Sequence, residues 1–286
     1  MPQTNEFQLT LAPIPVVNLI PKHDQSADCQ TYCEASDGHQ YAVKQTTDSS
    51  VFPFTPFDEL FCYDLAKLCG IAVPQYNLLT MPDGSVAFGS VWEASVVANG
   101  FASVFNDVMG GGNTFISKQK FIERLSAVYA FDLFVHNEDR HFGNYLVRPT
   151  FNSYVMIAMD FSRAWTNLDC PIDRTRNTMK PPYLPEVYIS PPHQAKDHGQ
   201  DSNTKQCARL IWSENNLGPI SGGFFFRTLN SLLAISEQQI QSILNRAPDE
   251  WCDSARKQEI LAWWLSEEKN RRINMIKGAY QNGALV

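Results

Sequence analysis

No apolar run in these 286 residues approaches the length of a membrane span. The opening residues, MPQTNEFQLTLAPIPVV, do not place a basic segment before an apolar core, so no signal peptide is expected. A soluble, cytoplasmic chain follows as the expectation. Basic charge is short as well. The 23 Lys and Arg against 30 Asp and Glu leave a net charge of -7, which disfavours nucleic acid as a partner and suits an anionic membrane poorly. A disulfide framework is missing, because seven unevenly spaced Cys, an odd number, fit reduced thiols. Cys29 and Cys33, or Cys62 and Cys69, lack the spacing of zinc-binding pairs. No internal repeat or low-complexity tract is present. Gly110-Gly111-Gly112 lacks a preceding strand and a following Lys-Ser or Lys-Thr, so it is not a Walker loop and is expected to be a flexible connection. What remains is ordinary globular composition, 44% hydrophobic and 19% charged, in a chain long enough for two lobes or small domains.

Against these absences stands the stretch from Phe131 to Trp165. It carries Asp139 in NEDRH, Asn144 five residues later in FGNYL, and Asp160 sixteen residues after that in AMDFS. One carboxylate to orient a hydroxyl, plus an amide and a carboxylate to hold Mg²⁺, is what phosphoryl transfer requires. Asp139 follows a long apolar helix, expected over SKQKFIERLSAVYAFDLFVHN with Ser117 as its N-cap. The Asp139-to-Asn144 interval is that of a kinase catalytic loop, and a tight loop lets both side chains face one volume. Gly143 would let the backbone approach closely there. Short strands at Leu146-Val147 and Tyr154 to Met159 would form a hairpin returning Asp160 beside Asn144. Taken singly, an Asp and an Asn in a loop read equally as turn caps; the conjunction is what carries weight.

The chain upstream supplies complements. Residues 7–20 read as an edge strand or two short strands, given Pro13 and Pro15. Asp37-Gly38 signals a hairpin into HQYAVKQ, which sets Tyr41 and Val43 on one face and Ala42 and Lys44 on the other. Lys44 has two readings: a solvated strand face, or a lysine turned into a cleft to meet phosphate. Apolar residues at 57, 60, 61, 65 and 68 predict a helix stopped near Gly70 and Pro74. Glu59 in its first turn either complements the helix dipole or pairs with Lys44. A strand, a turn at Pro82-Asp83-Gly84 and a second strand follow. Residues 166–205 are polar and proline-rich and are expected to be loops; the tail is helical, with a capping box from Ser236 to Gln239. The expected fold is α+β, with a β-rich part carrying one helix over residues 1–94 and a mostly helical part over 95–286.

Asn137-Glu138-Asp139-Arg140-His141-Phe142-Gly143-Asn144-Tyr145-Leu146 resembles the catalytic loop of the HipA-like kinases. SDGHQYAVKQ, DELFCYDLAKLCGIAVPQYNLL, AMDFSRAW and RAPDEW with the last helix extend the resemblance over most of the chain, and the DRH order also looks like that of phosphatidylinositol kinases. The resemblance implies a two-lobed protein-kinase-like fold and an ATP- and Mg²⁺-dependent transfer to a hydroxyl, with Ser or Thr of a protein expected. It implies Lys44 on the ATP phosphates held by Glu59, Asp139 as catalytic base, and Asn144 and Asp160 on Mg²⁺. Backbone groups at Val91, Trp92 and Glu93 would meet adenine. No glycine-rich loop precedes Lys44; the nearest stretch, Lys22 to Ala27, offers the single Ser26 for phosphate. Ser162 stands where protein kinases carry Gly. His141 either bonds Asp160 or the γ-phosphate, or braces the loop, the preferred reading. Arg140 reads as structural, and His136 as a helix-capping residue. The resemblance leaves room for a regulatory or antitoxin-like protein partner. Two rival readings stand beside it: a degenerate kinase acting as a binding module, and a lipid or small-molecule kinase.

Overall fold

Turn chemistry sets the N-terminal strands. The computed structural model describes residues 12–21, 31–46, 54–92, 100–112, 116–151, 153–164, 172–173, 178–179, 203–215 and 217–285. Strand β1 (Ile14–Ile20) pairs antiparallel with β2 (Thr31–Ala35), and β2 with β3 (Gln40–Lys44). Gly38 takes φ 79° in the turn, a conformation that favours glycine, while Asp37 Oδ1 accepts from the His39 amide at 3.0 Å. The second hairpin, β4 (Tyr76–Thr80) and β5 (Val86–Val91), turns at Gly84 with φ 85°. β5 also pairs with β3, aligning Lys44 with Phe88. β1 then runs parallel to β4, with Ile14 opposite Leu79, so the strand order β1-β2-β3-β5-β4 closes on itself. Tyr41 and Val43 point into this small closed sheet with Cys33, Ala35, Leu79 and Ala87. The alternation puts Ala42 and Lys44 on the opposite face, toward the rest of the molecule.

Helix α1 (Thr55–Leu68) carries Pro56 in its first turn and ends before Gly70, whose φ is 73°. Every residue from Thr55 to Ala66 is buried, the mark of a helix enclosed on all sides. Tyr63 meets Phe88 of the closed sheet edge-on at 5.3 Å, and Phe61 meets Trp264 at 6.3 Å on the other side.

The connection expected around the three glycines is instead largely helical. Helix α2 (Gly100–Gly110) buries Phe101, Val104, Phe105 and Val108, an i, i+3, i+4, i+7 stripe that flanking glycines obscured. Phe101 stacks on Tyr145 at 4.5 Å and Phe121 at 5.6 Å, so α2 braces both the helix before the 136–144 loop and the hairpin that follows it.

Helix α3 (Lys118–Val135) begins where expected, with Ser117 Oγ accepting from the Lys120 amide at 3.3 Å. From Leu125 onward it is buried almost all round, which makes it the spine of the helical part. Strands β6 (Tyr145–Thr150) and β7 (Ser153–Ala158) form the expected antiparallel hairpin. The two-residue strands β8 (Ile172–Asp173) and β9 (Thr178–Met179) pair with each other. Helix α4 (Asn203–Ala208) continues into a π-helical turn (Arg209–Glu214). Helices α5 (Gly222–Ala234), α6 (Glu237–Arg246), α7 (Ser254–Leu265) and α8 (Glu267–Gln281) complete the described chain. The Ser236–Gln239 capping box is formed in both directions. Trp263 and Trp264 lie against Phe134 in the core. Trp251 Nε1 donates to the Val86 carbonyl at 3.2 Å, tying the connection between α6 and α7 to the closed sheet. Among the described residues, no helix is long and apolar enough to cross a membrane.

Candidate active site

Lys44 ends β3 on the face turned away from the closed sheet, and it is only 7% exposed. The solvated-strand reading is thereby excluded. Its Nζ donates to Glu59 Oε1 on α1 and to Asp160 Oδ1 at 2.7 Å after β7. Three segments far apart in sequence thus converge on one ammonium. Glu59 Oε1 also accepts from the Phe161 amide at 3.0 Å, so the glutamate fixes the backbone next to Asp160 as well as the lysine.

Asp160 sits at φ 60°, one of two described non-glycine residues in the left-handed region. Ser162 holds it there: Ser162 Oγ donates to Asp160 Oδ1 at 2.6 Å. With Oδ1 taken by Lys44 and Ser162, Oδ2 is the oxygen left to receive a cation. Asn144 lies alongside, since the Met159 amide donates to the Asn144 carbonyl at 3.1 Å. The Asn144 side chain donates through Nδ2 to the Asp139 carbonyl at 2.7 Å. That bond orients the amide so that its oxygen is the atom available to a metal. Asp139 is thereby linked to Asn144 and, through it, to the Asp160 loop.

Arg140 shows how the sequence folds this way. It is 2% exposed and makes a forked pair with Asp132 of α3, Nε to Oδ2 at 2.8 Å and Nη2 to Oδ1 at 3.0 Å. Nη1 reaches the Asn144 carbonyl at 2.9 Å and the Met159 carbonyl as well. The guanidinium lies 4.8 Å from the Phe161 ring. One side chain therefore joins α3, the 136–144 loop and the Asp160 segment, as the structural reading expects. Asn137 Nδ2 adds a 3.0 Å bond to Asp132. His141 is exposed, and its Nδ1 accepts from the Gly143 amide at 3.0 Å, the geometry of a loop brace. A Cβ on Gly143 would lie 2.8 Å from His141 Cε1, so the close approach glycine permits is to this imidazole. His136 caps α3 with φ 57°.

Thr204 and Asn203 at the start of α4 also grip the loop. Thr204 Oγ1 donates to the Asn137 carbonyl and accepts from the Arg140 amide at 2.9 Å, and the Thr204 amide donates to the Glu138 carbonyl at 3.1 Å. Asn203 Nδ2 donates to Asp139 Oδ1.

The sequence profile described as HipA-like kinase matches residues 16–169. The chain belongs to the HipA-like kinase family. Among solved structures, this HipA-like kinase is similar to the Helicobacter pylori proinflammatory kinase CtkA, with 16% identity, a TM-score of 0.56, and 96% of this chain and 100% of that one covered. That likeness is one of fold, and it makes the fold kinase-like. Looser likenesses are to a Shewanella oneidensis HipA solved with HipB and operator DNA (13% identity, 92% and 65% covered, TM-score 0.45) and to a Golgi casein kinase with Mn/ADP bound (13%, 96% and 77%, 0.44). A search of curated protein sequences finds no match.

In this HipA-like kinase the other expected site residues fall as follows. Val91 ends β5 and Trp92 follows it, and their amides donate to the Gln75 and Gln40 carbonyls at 2.8 and 2.7 Å. Those two N–H groups are engaged within the fold. Trp92 is half-exposed and meets Tyr32 edge-on at 5.0 Å. Ser26 and Glu93 lie outside the described residues, as does Trp165. Asp132, Asn203 and Thr204 were not singled out from the sequence. The one available signal was Asp132, an acid on an apolar helix face eight residues before an arginine.

The ion cluster has a definite charge distribution. Burial alone would lower the Lys44 pKa, but Asp160 and Glu59 together raise it, so the ammonium stays charged. Burial would raise Asp160, yet Lys44 and Ser162 hold it well below the usual carboxylate range. Glu59 is fully buried; burial pushes its carboxyl up, Lys44 pulls it back, Asp160 pushes again, and the result is about 7. A carboxyl raised from 4.5 to about 7 in the folded state is neutral in both states below 4.5. Between those values only the unfolded chain ionises, so stability from this group is lost as pH rises. The unfolding free energy of the native protein minus that of Glu59→Gln is expected to fall from pH 4.5 to 7 and then level off. Denaturant unfolding of both proteins across that range checks it, and a flat difference would contradict the assignment.

Proposed function

We propose that this HipA-like kinase transfers the γ-phosphate of ATP, with Mg²⁺, to a Ser or Thr hydroxyl of a protein, in a cleft between an N-lobe (residues 1–94) and a C-lobe (95–286). The observation that carries the reading is the convergence of Lys44, Glu59 and Asp160 on one ion cluster, with Asn144 and Asp139 hydrogen-bonded beside it. Two carboxylates around one lysine leave excess negative charge, which suits a divalent cation. Asp160 and Asn144 provide hard oxygen ligands, the kind and number that magnesium takes from protein when phosphates supply others. When bound, Mg²⁺ neutralises the developing charge on the phosphate oxygens. Lys44 binds the same oxygens, and Glu59 keeps its ammonium aimed. Asp139 orients the acceptor hydroxyl and takes its proton. Most of the rate then comes from positioning and charge neutralisation. An open cavity of about 930 Å³ runs from His141, Phe142 and Gly143 along Gln206, Arg209 and Leu210, beside the Asp139 carboxylate's partner Asn203.

The test separates a kinase from a nucleotide-holding module. ATP affinity is measured by calorimetry with Mg²⁺ and with EDTA, for the native protein and Asp160→Asn. Native affinity is expected to fall at least about 10-fold on chelation, and Asp160→Asn to lose most of that dependence. ATP affinity indifferent to both changes would remove Asp160 from the cation site.

A further inference from the structure

The catalytic loop is held from two directions, and the second comes from well beyond the motif. Asp139 has its backbone fixed on both sides. Its amide donates to Asn137 Oδ1 at 3.2 Å, and its carbonyl accepts from Asn144 Nδ2 at 2.7 Å. The freedom left to it is rotation of the side chain. Among the described residues, the group that bonds the carboxylate is Asn203 Nδ2, on Oδ1. Asn203 is placed by its neighbour: Thr204, 6% exposed, makes three hydrogen bonds to the backbone of residues 137–140. The start of α4 is thus docked in register with the loop, one residue fixing the main chain and the next the carboxylate. Asn203 also lines the open cavity beside His141 and Gly143.

We propose that Asn203 is a positioning residue for phosphoryl transfer: by holding Asp139 Oδ1 it turns Oδ2 toward the acceptor hydroxyl. This rests on the reading of Asp139 as the base. A neutral amide suits the task. It donates one hydrogen bond without adding charge, whereas a lysine there would compete for the carboxylate as an ion pair and a carboxylate would repel it. A structural alternative is that Asn203 merely starts α4. The two readings differ sharply for one substitution, because Asp suits the first turn of a helix at least as well as Asn does but cannot donate to a carboxylate.

The test compares Asn203→Ala, Asn203→Asp and Thr204→Val with the native protein. Transfer is followed with γ-labelled ATP, Mg²⁺ and casein, together with the KM for ATP and thermal unfolding. Asn203→Ala is expected to lower kcat about 10- to 100-fold with the KM for ATP and the melting temperature unchanged. Asn203→Asp is expected to fall below Ala. Thr204→Val is expected to lower the melting temperature as well. Native-like transfer by Asn203→Asp would overturn the proposal, as would parallel losses in KM and melting temperature for the Asn203 variants. A second readout needs no turnover: crystal structures of native and Asn203→Ala protein with Mg²⁺ and a non-hydrolysable ATP analogue. The Asp139 carboxylate is expected to rotate or split between rotamers in the variant. An unchanged carboxylate would overturn the proposal even if the native protein moves no phosphate, an outcome that would separately sink the kinase reading.

Discussion

Replacing Asp139 by Asn is expected to slow phosphate transfer about 10²- to 10⁴-fold, the range a positioned general base supplies, while leaving ATP affinity within about twofold. The separation follows from what each group touches. Lys44, Asn144 and Asp160 form the half of the site that would meet phosphate and cation, and none of them depends on the Asp139 carboxylate for its geometry. Asn144 bonds the Asp139 carbonyl, which the substitution keeps. The introduced amide would still fill the space of the carboxylate but could not accept a proton. Rapid transfer by the variant would mean that another group handles the hydroxyl; loss of ATP binding would mean that Asp139 belongs to the phosphate half. Transfer rates and calorimetric ATP affinity, measured on one preparation, distinguish these outcomes.

The second large effect is on stability. Arg140→Met is expected to cost about 3–5 kcal/mol, as breaking one side of a buried pair does. The substitution leaves Asp132, 1% exposed, without its guanidinium, and removes donors from the Asn144 and Met159 carbonyls. Because those carbonyls belong to the segments carrying Asn144 and Asp160, cation-dependent ATP binding should weaken with stability. Arg140→Lys would not restore it, since an ammonium cannot reproduce the fork. A double variant, Arg140→Met with Asp132→Leu, should recover part of the loss, because the buried unpaired charge is gone. Urea unfolding midpoints of the single and double variants check this; equal losses would show that the carbonyl bonds matter more than the ion pair.

Much of the site was legible because its chemistry is local. Asp139, Asn144 and Asp160 lie within one loop and one hairpin, where spacing alone constrains which side chains can meet. Lys44 could be placed on a face because strand alternation is strict, and Glu59 because it lies near the start of the next helix. The fold was less legible wherever contacts are distant. Closure of the N-terminal sheet needs β1 to run beside β4, a pairing of residues 65 apart (Ile14 with Leu79) that no turn signals. Helix α2 carried a regular apolar stripe, but glycines at its ends read as connection. Arg140 could be read as structural, yet its partner lay hidden on a helix whose burial made an acid look like part of an apolar face. Asn203 and Thr204 come 64 residues after Asp139 and Arg140, beyond a stretch without periodicity, so only the folded chain brings them to the loop. Ser162, which looked like a departure from the glycine of protein kinases, is a donor to the Asp160 carboxylate.

The most direct test is the fate of the γ-phosphate. The native protein is incubated with γ-labelled ATP, Mg²⁺ and casein, and the labelled protein is hydrolysed for phosphoamino-acid analysis. Label on Ser or Thr, abolished by EDTA and by Asp139→Asn, is the predicted result. ATP bound normally but left intact, or all label released as inorganic phosphate with none on a hydroxyl side chain, would contradict it.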